Sequence, residues 1–338
     1  MKIAILTALF IILAVLIYIR YSVDETNEPI DVVYTWVNGN DPNHKRKREN
    51  HIQGEKNKMK NIYLSNANTQ FNDYDTLKYS VRSILKYAPW VRSVYIVTDN
   101  QKPNWFKEGN NKVFIIDHTQ IIPENFLPTF NSHTIEYHLH NIPNLSENFL
   151  YLNDDTMLGN YIKTRDFLNR KQIYLRTNGK RVPDKINFTN NYISSWVNAN
   201  RILNRDYKKE RREFLLHQAT ICNRTVMKNL IKEYKGEYER TSNTKFRNKL
   251  NVPPVGLSLY YGLYKGYVKL NKGYISNHYF KLNNNINYNR NNFNEILKRR
   301  PKLICINDAN NFKPTNKQIE LLTNFLESYY PEKSICEK

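Results

Sequence analysis

The sequence predicts an α/β fold: a Rossmann-like, mostly parallel sheet flanked by helices, with a more irregular helical C-terminal half completing one domain. Three observations carry this. Four short runs rich in β-branched and aromatic residues lie in the first half, at residues 31–37, 93–98, 113–116 and 149–152. Each ends abruptly in polar residues: Asn38 and Gly39, Asp99, Asp117 and His118, and Asn153 with Asp154 and Asp155. Helical patterns lie between some of them, and strands alternating with helices are most simply joined by right-handed crossovers into a parallel sheet.

The elements follow in order. After the strand at 31–37, the charged stretch 45–60 reads as a surface excursion. Residues 75–87 place Leu77, Val81, Ile84 and Leu85 on one helical face, with Asp73 as the expected N-cap and Ala88-Pro89 as the stop. The strands at 93–98 and 113–116 come next. A helix over 132–141 enters through Asn131 or Ser132 and stops before Pro143. The run 149–152 is apolar at consecutive positions, the pattern of a strand covered on both faces inside a parallel sheet. Residues 211–234 predict helical stretches carrying Leu215, Val226, Leu230 and Ile231, and Pro253-Pro254 breaks the chain. A short apolar run at 303–306 again ends in polar residues, Asn307 and Asp308. A closing amphipathic helix over 317–330 turns Ile319, Leu322, Phe325, Leu326 and Tyr329 inward. There is no GxGxxG fingerprint and no internal repeat.

In open parallel sheets ligands bind beyond the carboxyl ends of the strands. Asp154 and Asp155 fall there, and adjacent carboxylates repel unless a cation, a proton or a basic group compensates. They are therefore candidates to hold a divalent metal against phosphate oxygens, with a simple polar turn as the alternative. The net charge of +20 suits anionic partners, but the basic residues are scattered and no nucleic-acid-binding signature appears.

Residues 3–19 form an uninterrupted apolar run between Lys2 and Arg20. It is near the lower limit for a membrane span. We read residues 1–24 as a single N-terminal membrane anchor, with a cleaved signal segment as the alternative. Residues 25–338 then form the soluble part, in a eukaryote within a secretory or Golgi-like compartment. Three cysteines, Cys222, Cys305 and Cys336, are no disulfide framework, although one bridge plus a free thiol is compatible with them. Sequons at Asn144, Asn187 and Asn223 arise readily by chance in an Asn-rich chain.

The strand ends spell out more than a fold class. Residues 31–39 followed by Asp41 resemble the first conserved region of the Stealth family, which contains bacterial capsule sugar-phosphate transferases and the animal N-acetylglucosamine-1-phosphotransferase. Residues 71–75, 77–83, 86–91, 95–99, Gln101, Pro103, Trp105, Asp117, His118, 127–132, Glu136, His140, Ile142-Pro143 and 151–155 resemble its second region over a long span. The third region is thinner. His217 resembles the histidine opening an H-x-P-H element, but Ala219 and Thr220 replace its proline and second histidine. Arg224, Val226, Met227, Thr241 and Arg247 continue the pattern, whereas Asn248-Lys249-Leu250 stand where acidic residues are usual. Residues 304–308 resemble the fourth region.

This resemblance implies one catalytic domain, with 31–160 as its donor-binding part and 161–338 completing the active site. It implies transfer of a sugar 1-phosphate, as N-acetylhexosamine 1-phosphate, from a UDP-sugar to a hydroxyl of a glycan or polysaccharide, with release of UMP. The alternative is a metal-dependent glycosyltransferase that moves only the sugar and releases UDP. Asp154 and Asp155 are expected to hold Mg2+, with Asp308 as a third carboxylate. His217 is the expected base and Asp155 its rival, and Arg247 is expected to meet phosphoryl oxygens. Trp36, Asn38, Gly39, Asp41, Asn131, Ser132 and Asn153 are expected to contact the nucleotide-sugar donor. Asp99 and Glu136 are further candidates.

Overall fold

A computed structural model of the chain describes residues 28–58, 73–170, 172–187, 189–309 and 314–338. The apolar run 3–19 and residues 71–72 lie outside these ranges. Among the described residues no helix is long and apolar enough to cross a membrane.

The main sheet is built from β1 (Ile30–Thr35), β2 (Val91–Thr98), β3 (Val113–Asp117), β4 (Asn148–Asn153) and the later β9 (Thr220–Asn223), in the order β3-β2-β1-β4-β9. The first four are parallel and β9 runs antiparallel to β4. Both faces are covered, as consecutive apolar residues require. Val32, Tyr34, Ile96, Leu150 and Leu152 pack with Leu77, Val81 and Ile84 on one face. Val33, Tyr95, Val97, Phe149 and Tyr151 pack with Ile121, Phe126 and Leu139 on the other. The chain leaves β1 toward β2 and β3 on one side and returns to β4 on the opposite side. The switch point therefore lies between the ends of β1 and β4, where Thr35 pairs with Asn153.

The charged stretch departs from expectation: it forms α1 (Pro42–Lys58), and His44 and Arg48 on it are buried. The helix over 76–87 is α2 (Thr76–Tyr87), but Asp73 does not cap it. Asp75 occupies the cap position in a left-handed conformation, and Asp73 instead accepts from the Asp75 amide (2.9 Å) and the Trp36 indole N–H (3.2 Å). A short helix, α3 (His118–Ile121), follows β3, and α4 (Ser132–His138) precedes β4 and ends in a single 3₁₀ turn at Leu139–Asn141.

After β4 the two-residue turn of Asp154 and Asp155 carries the chain out of the sheet into β5 (Thr156–Leu158). Residues β6 (Ile173–Leu175), β7 (Thr177–Arg181), α5 (Asn191–Asp206) and β8 (Glu213–Leu215) lead to β9, then α6 (Arg224–Glu233), α7 (Lys235–Ser242) and α8 (Pro254–Tyr264). The segment 211–234 is thus helical only after Asn223. The C-terminal part adds β10 (Val268–Leu270), β11 (Asn277–Leu282), α9 (Ile286–Arg299), β12 (Leu303–Asp308) and α10 (Asn316–Tyr329). A second sheet has the order β11-β12-β5, parallel then antiparallel. All three cysteines are free and buried, so no bridge forms.

The C-terminus is stapled to α2. Arg82, almost fully buried, donates to Glu337 (2.6 Å), Glu327 (3.0 Å) and the Tyr330 carbonyl (2.6 Å). Glu337 is as buried as its partner. Glu337→Ala leaves the guanidinium short of counter-charge, and a loss of about 3 kcal/mol is expected in denaturant unfolding.

Candidate active site at the carboxyl end of the sheet

Three remote segments meet beyond β4. The first is the Asp154-Asp155 turn itself. The second is the stretch before β9. Because β9 is antiparallel to β4 and Thr220 lies opposite Tyr151, continuing that register backwards brings His217 alongside the turn. The third is the end of β12, held to the turn by the Ile306 amide donating to the Asp155 carbonyl (2.9 Å).

Asp155 is the hub. Its Oδ2 lies 3.7 Å from His217 Nε2, accepts from Asn307 Nδ2 at 2.6 Å, and lies 3.5 Å from Cys305 Sγ. Burial alone would raise its carboxyl. The contacts from His217, Asn307 and Cys305 outweigh that and hold it below the ordinary carboxylate value. Burial likewise favours the neutral His217 ring, yet Asp155 raises it above the ordinary imidazole value, against opposing Lys281 and Arg247. The two shifts run in opposite directions, as one mutually stabilised pair of opposite charges requires. The His217 side chain remains 40% exposed, while its Nε2, which faces Asp155, is buried.

Asp154 is the opposite case. Burial, then the charges of Asp155, Asp73 and Asp308, raise it well above the usual carboxylate range. Burial is also the main cause that pushes Asp73 up to about 6. Asp308 accepts from the Tyr74 hydroxyl at 3.0 Å. Asn153 Oδ1 accepts from the Tyr151 hydroxyl, which also lies 3.0 Å from Thr35 Oγ1.

Arg247, on the loop between α7 and α8, is close enough to His217 to oppose the rise of its pKa. That loop is fixed by amides. Asn131 Nδ2 donates to Thr244 Oγ1 (2.9 Å) and Asn251 Oδ1 (3.1 Å), Asn191 Nδ2 to the Arg247 carbonyl (3.0 Å), and Asn198 Nδ2 to the Lys249 and Asn251 carbonyls (2.9 and 3.0 Å). Burial lowers the Arg247 pKa, with Glu136, Tyr151 and Tyr192 opposing. Glu136, one turn into α4, is pushed up to about 7 by burial despite Arg247, the Val255 backbone and Ser132.

The residues expected at the donor divide. Asn131 is fully buried, and its Oδ1 caps α4 through the His133 amide (3.1 Å). Its side chain positions the Arg247 loop, which leaves it no free surface for a nucleotide. Ser132 contacts Glu136. Trp36 is buried in the core with its N–H on Asp73. Asp41 accepts from the His44 amide (2.8 Å) at the start of α1. Asn38 exchanges hydrogen bonds with Gln101, 3.0 Å each way, and Gly39 is buried in the turn that follows. Asp99 is neutralised by Lys47, 2.8 Å from both oxygens.

Sequence reasoning passed over Asn307, Cys305, Tyr74 and Tyr279. Asn307 was visible as the neighbour of Asp308. Tyr279 packs edge-on against His217 at 5.9 Å, and nothing local in the sequence marks it.

Comparison with known proteins places the chain. It matches the models of Stealth protein conserved region 1 over residues 28–50, conserved region 2 over 70–176 and conserved region 4 over 294–338. His217 and Arg247 fall outside those stretches. The exopolysaccharide phosphotransferase SCO6023 of Streptomyces coelicolor is 32% identical over 93% of this chain, which spans about half (53%) of that relative. The exopolysaccharide phosphotransferase cps2G of Lactiplantibacillus plantarum is 31% identical over 91% of this chain and 96% of its own length. Among solved structures, the galactosyltransferase LgtC with donor and acceptor sugar analogs matches 88% of this chain and 96% of its own at 11% identity and a TM-score of 0.44, too loose a likeness to carry a conclusion. Matched in three conserved regions and to a relative over nearly its whole length, the chain belongs to the Stealth family.

Proposed function

We propose that this chain transfers a sugar 1-phosphate, as N-acetylhexosamine 1-phosphate, from a UDP-sugar to a hydroxyl of a glycan or polysaccharide, releasing UMP. The observation that carries the reading is the Asp155–His217 pair, 3.7 Å apart at the switch point of the sheet, with Arg247 in the same electrostatic neighbourhood. The names of its relatives, exopolysaccharide and capsular polysaccharide phosphotransferases, support the reaction class.

The chemistry is a displacement at the sugar-side phosphorus. The acceptor oxygen forms a bond to that phosphorus while the bond to the bridging oxygen breaks, and UMP leaves with the electron pair. Neutral His217 takes the acceptor proton, and Asp155 stabilises the imidazolium that results. Arg247 donates to the phosphoryl oxygens, where a planar fork suits two acceptors at once. Asn307 fixes the Asp155 carboxylate so that it faces His217.

The residues fit a hard divalent cation. Burial, then the charges of Asp155, Asp73 and Asp308, raise Asp154, and a cation beside it would offset that crowding of negative charge. Mg2+ would be held by Asp154 and Asp155 with Asp308 nearby, and would neutralise diphosphate charge. Residues 3–19 serve, in this reading, as a single-pass anchor holding the catalytic part at a membrane.

The test is the leaving group. UDP-N-acetylglucosamine and other UDP-sugars are incubated with the chain and a polysaccharide acceptor, with and without Mg2+, and the nucleotide is identified by chromatography. UMP with phosphorus retained in the product is expected. UDP with a phosphorus-free product would instead assign simple glycosyl transfer.

A further inference from the structure

We propose that Asp155, His217 and Cys305 form a thiophilic cation site that takes Zn2+, sharing Asp155 with the carboxylates around Asp154 but adding nitrogen and sulfur, and that filling it stops the reaction proposed above. The ligand atoms of the three residues all lie within 4.8 Å of one another. Two of the separations are 3.5 Å (Cys305 Sγ to Asp155 Oδ2) and 3.7 Å (His217 Nε2 to Asp155 Oδ2). A tetrahedral Zn2+ with bonds of about 2.0–2.3 Å sets neighbouring ligands roughly 3.3–3.8 Å apart. The cluster therefore already has two edges of the right length, and the third is no longer than 4.8 Å.

The donor set decides the ion. Nitrogen, sulfur and one carboxylate oxygen suit Zn2+, whereas Mg2+ demands oxygen. The site is held by long-range structure: the β4–β5 turn, the stretch before β9, and β12. His217 Nε2 is buried and faces Asp155 Oδ2 at 3.7 Å with no closer hydrogen-bond partner, so it is the ring atom a cation between the two would take. Asn307 Nδ2 on Asp155 supplies the outer-shell bond that orients a ligating carboxylate. The exposed side of His217 provides an entry path. On coordination the Cys305 S–H bond breaks, the S–Zn bond forms, and the proton passes to solvent.

Zinc binding stands apart from the reaction, and only its inhibitory consequence rests on the proposed roles of Asp155 and His217. Filling the site occupies the His217 lone pair and the Asp155 carboxylate together.

Co2+ titrated into the full chain reports the site without any activity. A thiolate-to-cobalt charge-transfer band is expected, displaced stoichiometrically by Zn2+. Cys305→Ala should abolish the band and weaken Zn2+ binding by more than the about 10–100-fold that loss of an outer-shell partner costs. His217→Ala should weaken binding likewise while keeping the band. Cys222→Ala, on β9, should change neither. Absence of the band in the unmodified chain, or equal Zn2+ affinity in the Cys305 and Cys222 variants, would overturn the site. Zn2+ bound with turnover undiminished would overturn its inhibitory role. UMP release by a chain lacking the band would leave the proposed reaction standing and remove only this inference.

Discussion

Asp155→Asn is expected to lower kcat for nucleoside monophosphate release by about 10³-fold, the range lost with a general base and its charge partner. The same change reports on His217. In the folded chain the histidine is raised by Asp155 and the carboxyl is lowered by the histidine. A base works deprotonated, so activity climbs as pH rises through the His217 pKa, with its midpoint above the ordinary value of about 6.5. In Asp155→Asn the raising partner is gone, while burial, Lys281 and Arg247 remain, so the midpoint moves below that value. The stability signs follow. The raised His217 contributes stability that is full below the ordinary imidazole pKa and lost as pH rises through its folded pKa. The lowered Asp155 contributes above the ordinary carboxylate pKa and loses it as pH falls through its folded pKa. Proton NMR of the His217 ring, with the pH profile of kcat/KM, checks both. A ring that titrates identically in the two proteins would end the pairing.

The second large effect belongs to Arg247. Arg247→Ala is expected to reduce kcat/KM by about 10²–10³-fold, as for loss of one oxyanion donor in a water-poor site. Arg247→Lys should recover only part of this, because an ammonium cannot bind two phosphoryl oxygens through a planar fork. The fold should tolerate the alanine. Burial already pushes Glu136 up to about 7 against the pull of Arg247, and losing Arg247 pushes it further toward the neutral form. Steady-state kinetics with thermal unfolding separate the two readouts. Full recovery by lysine would reduce Arg247 to a point charge.

The two halves of the chain were not equally legible. β1, β2 and β4 declare themselves because residues covered on both faces must be apolar at successive positions, a signal contained within each strand. The same holds for the polar ends of β4 and β12, and so for Asp154, Asp155 and Asp308. The stretch 211–223 misleads for the complementary reason. Phe214 and Leu215, then Ile221 and Cys222, are short apolar runs without a decisive period, and β9 exists because it pairs with Tyr151 and Leu150 of β4. α1 carries buried His44 and Arg48 on a highly charged helix, and only that burial, with His44 edge-on against Phe130, reveals an inward face. Asn131 shows how one residue can be noticed for a nearby reason: it caps α4 as its position suggests, but its amide is spent on the Arg247 loop.

The sequence by itself determined the strand-and-helix alternation, the carboxylates at the strand ends and the family, since each is written in contiguous residues. The family resemblance already grouped Asp155, His217, Arg247 and Asp308, whereas tertiary structure alone decided how they meet and added Cys305 and Asn307. Asp155, His217, Cys305, Asn307 and Arg247 come from four separate segments, joined by the antiparallel return of β9, the β5–β12 pairing and the asparagine-clamped loop. Contacts of that range are fixed by the free energy of the whole packed core, and no local pattern encodes them.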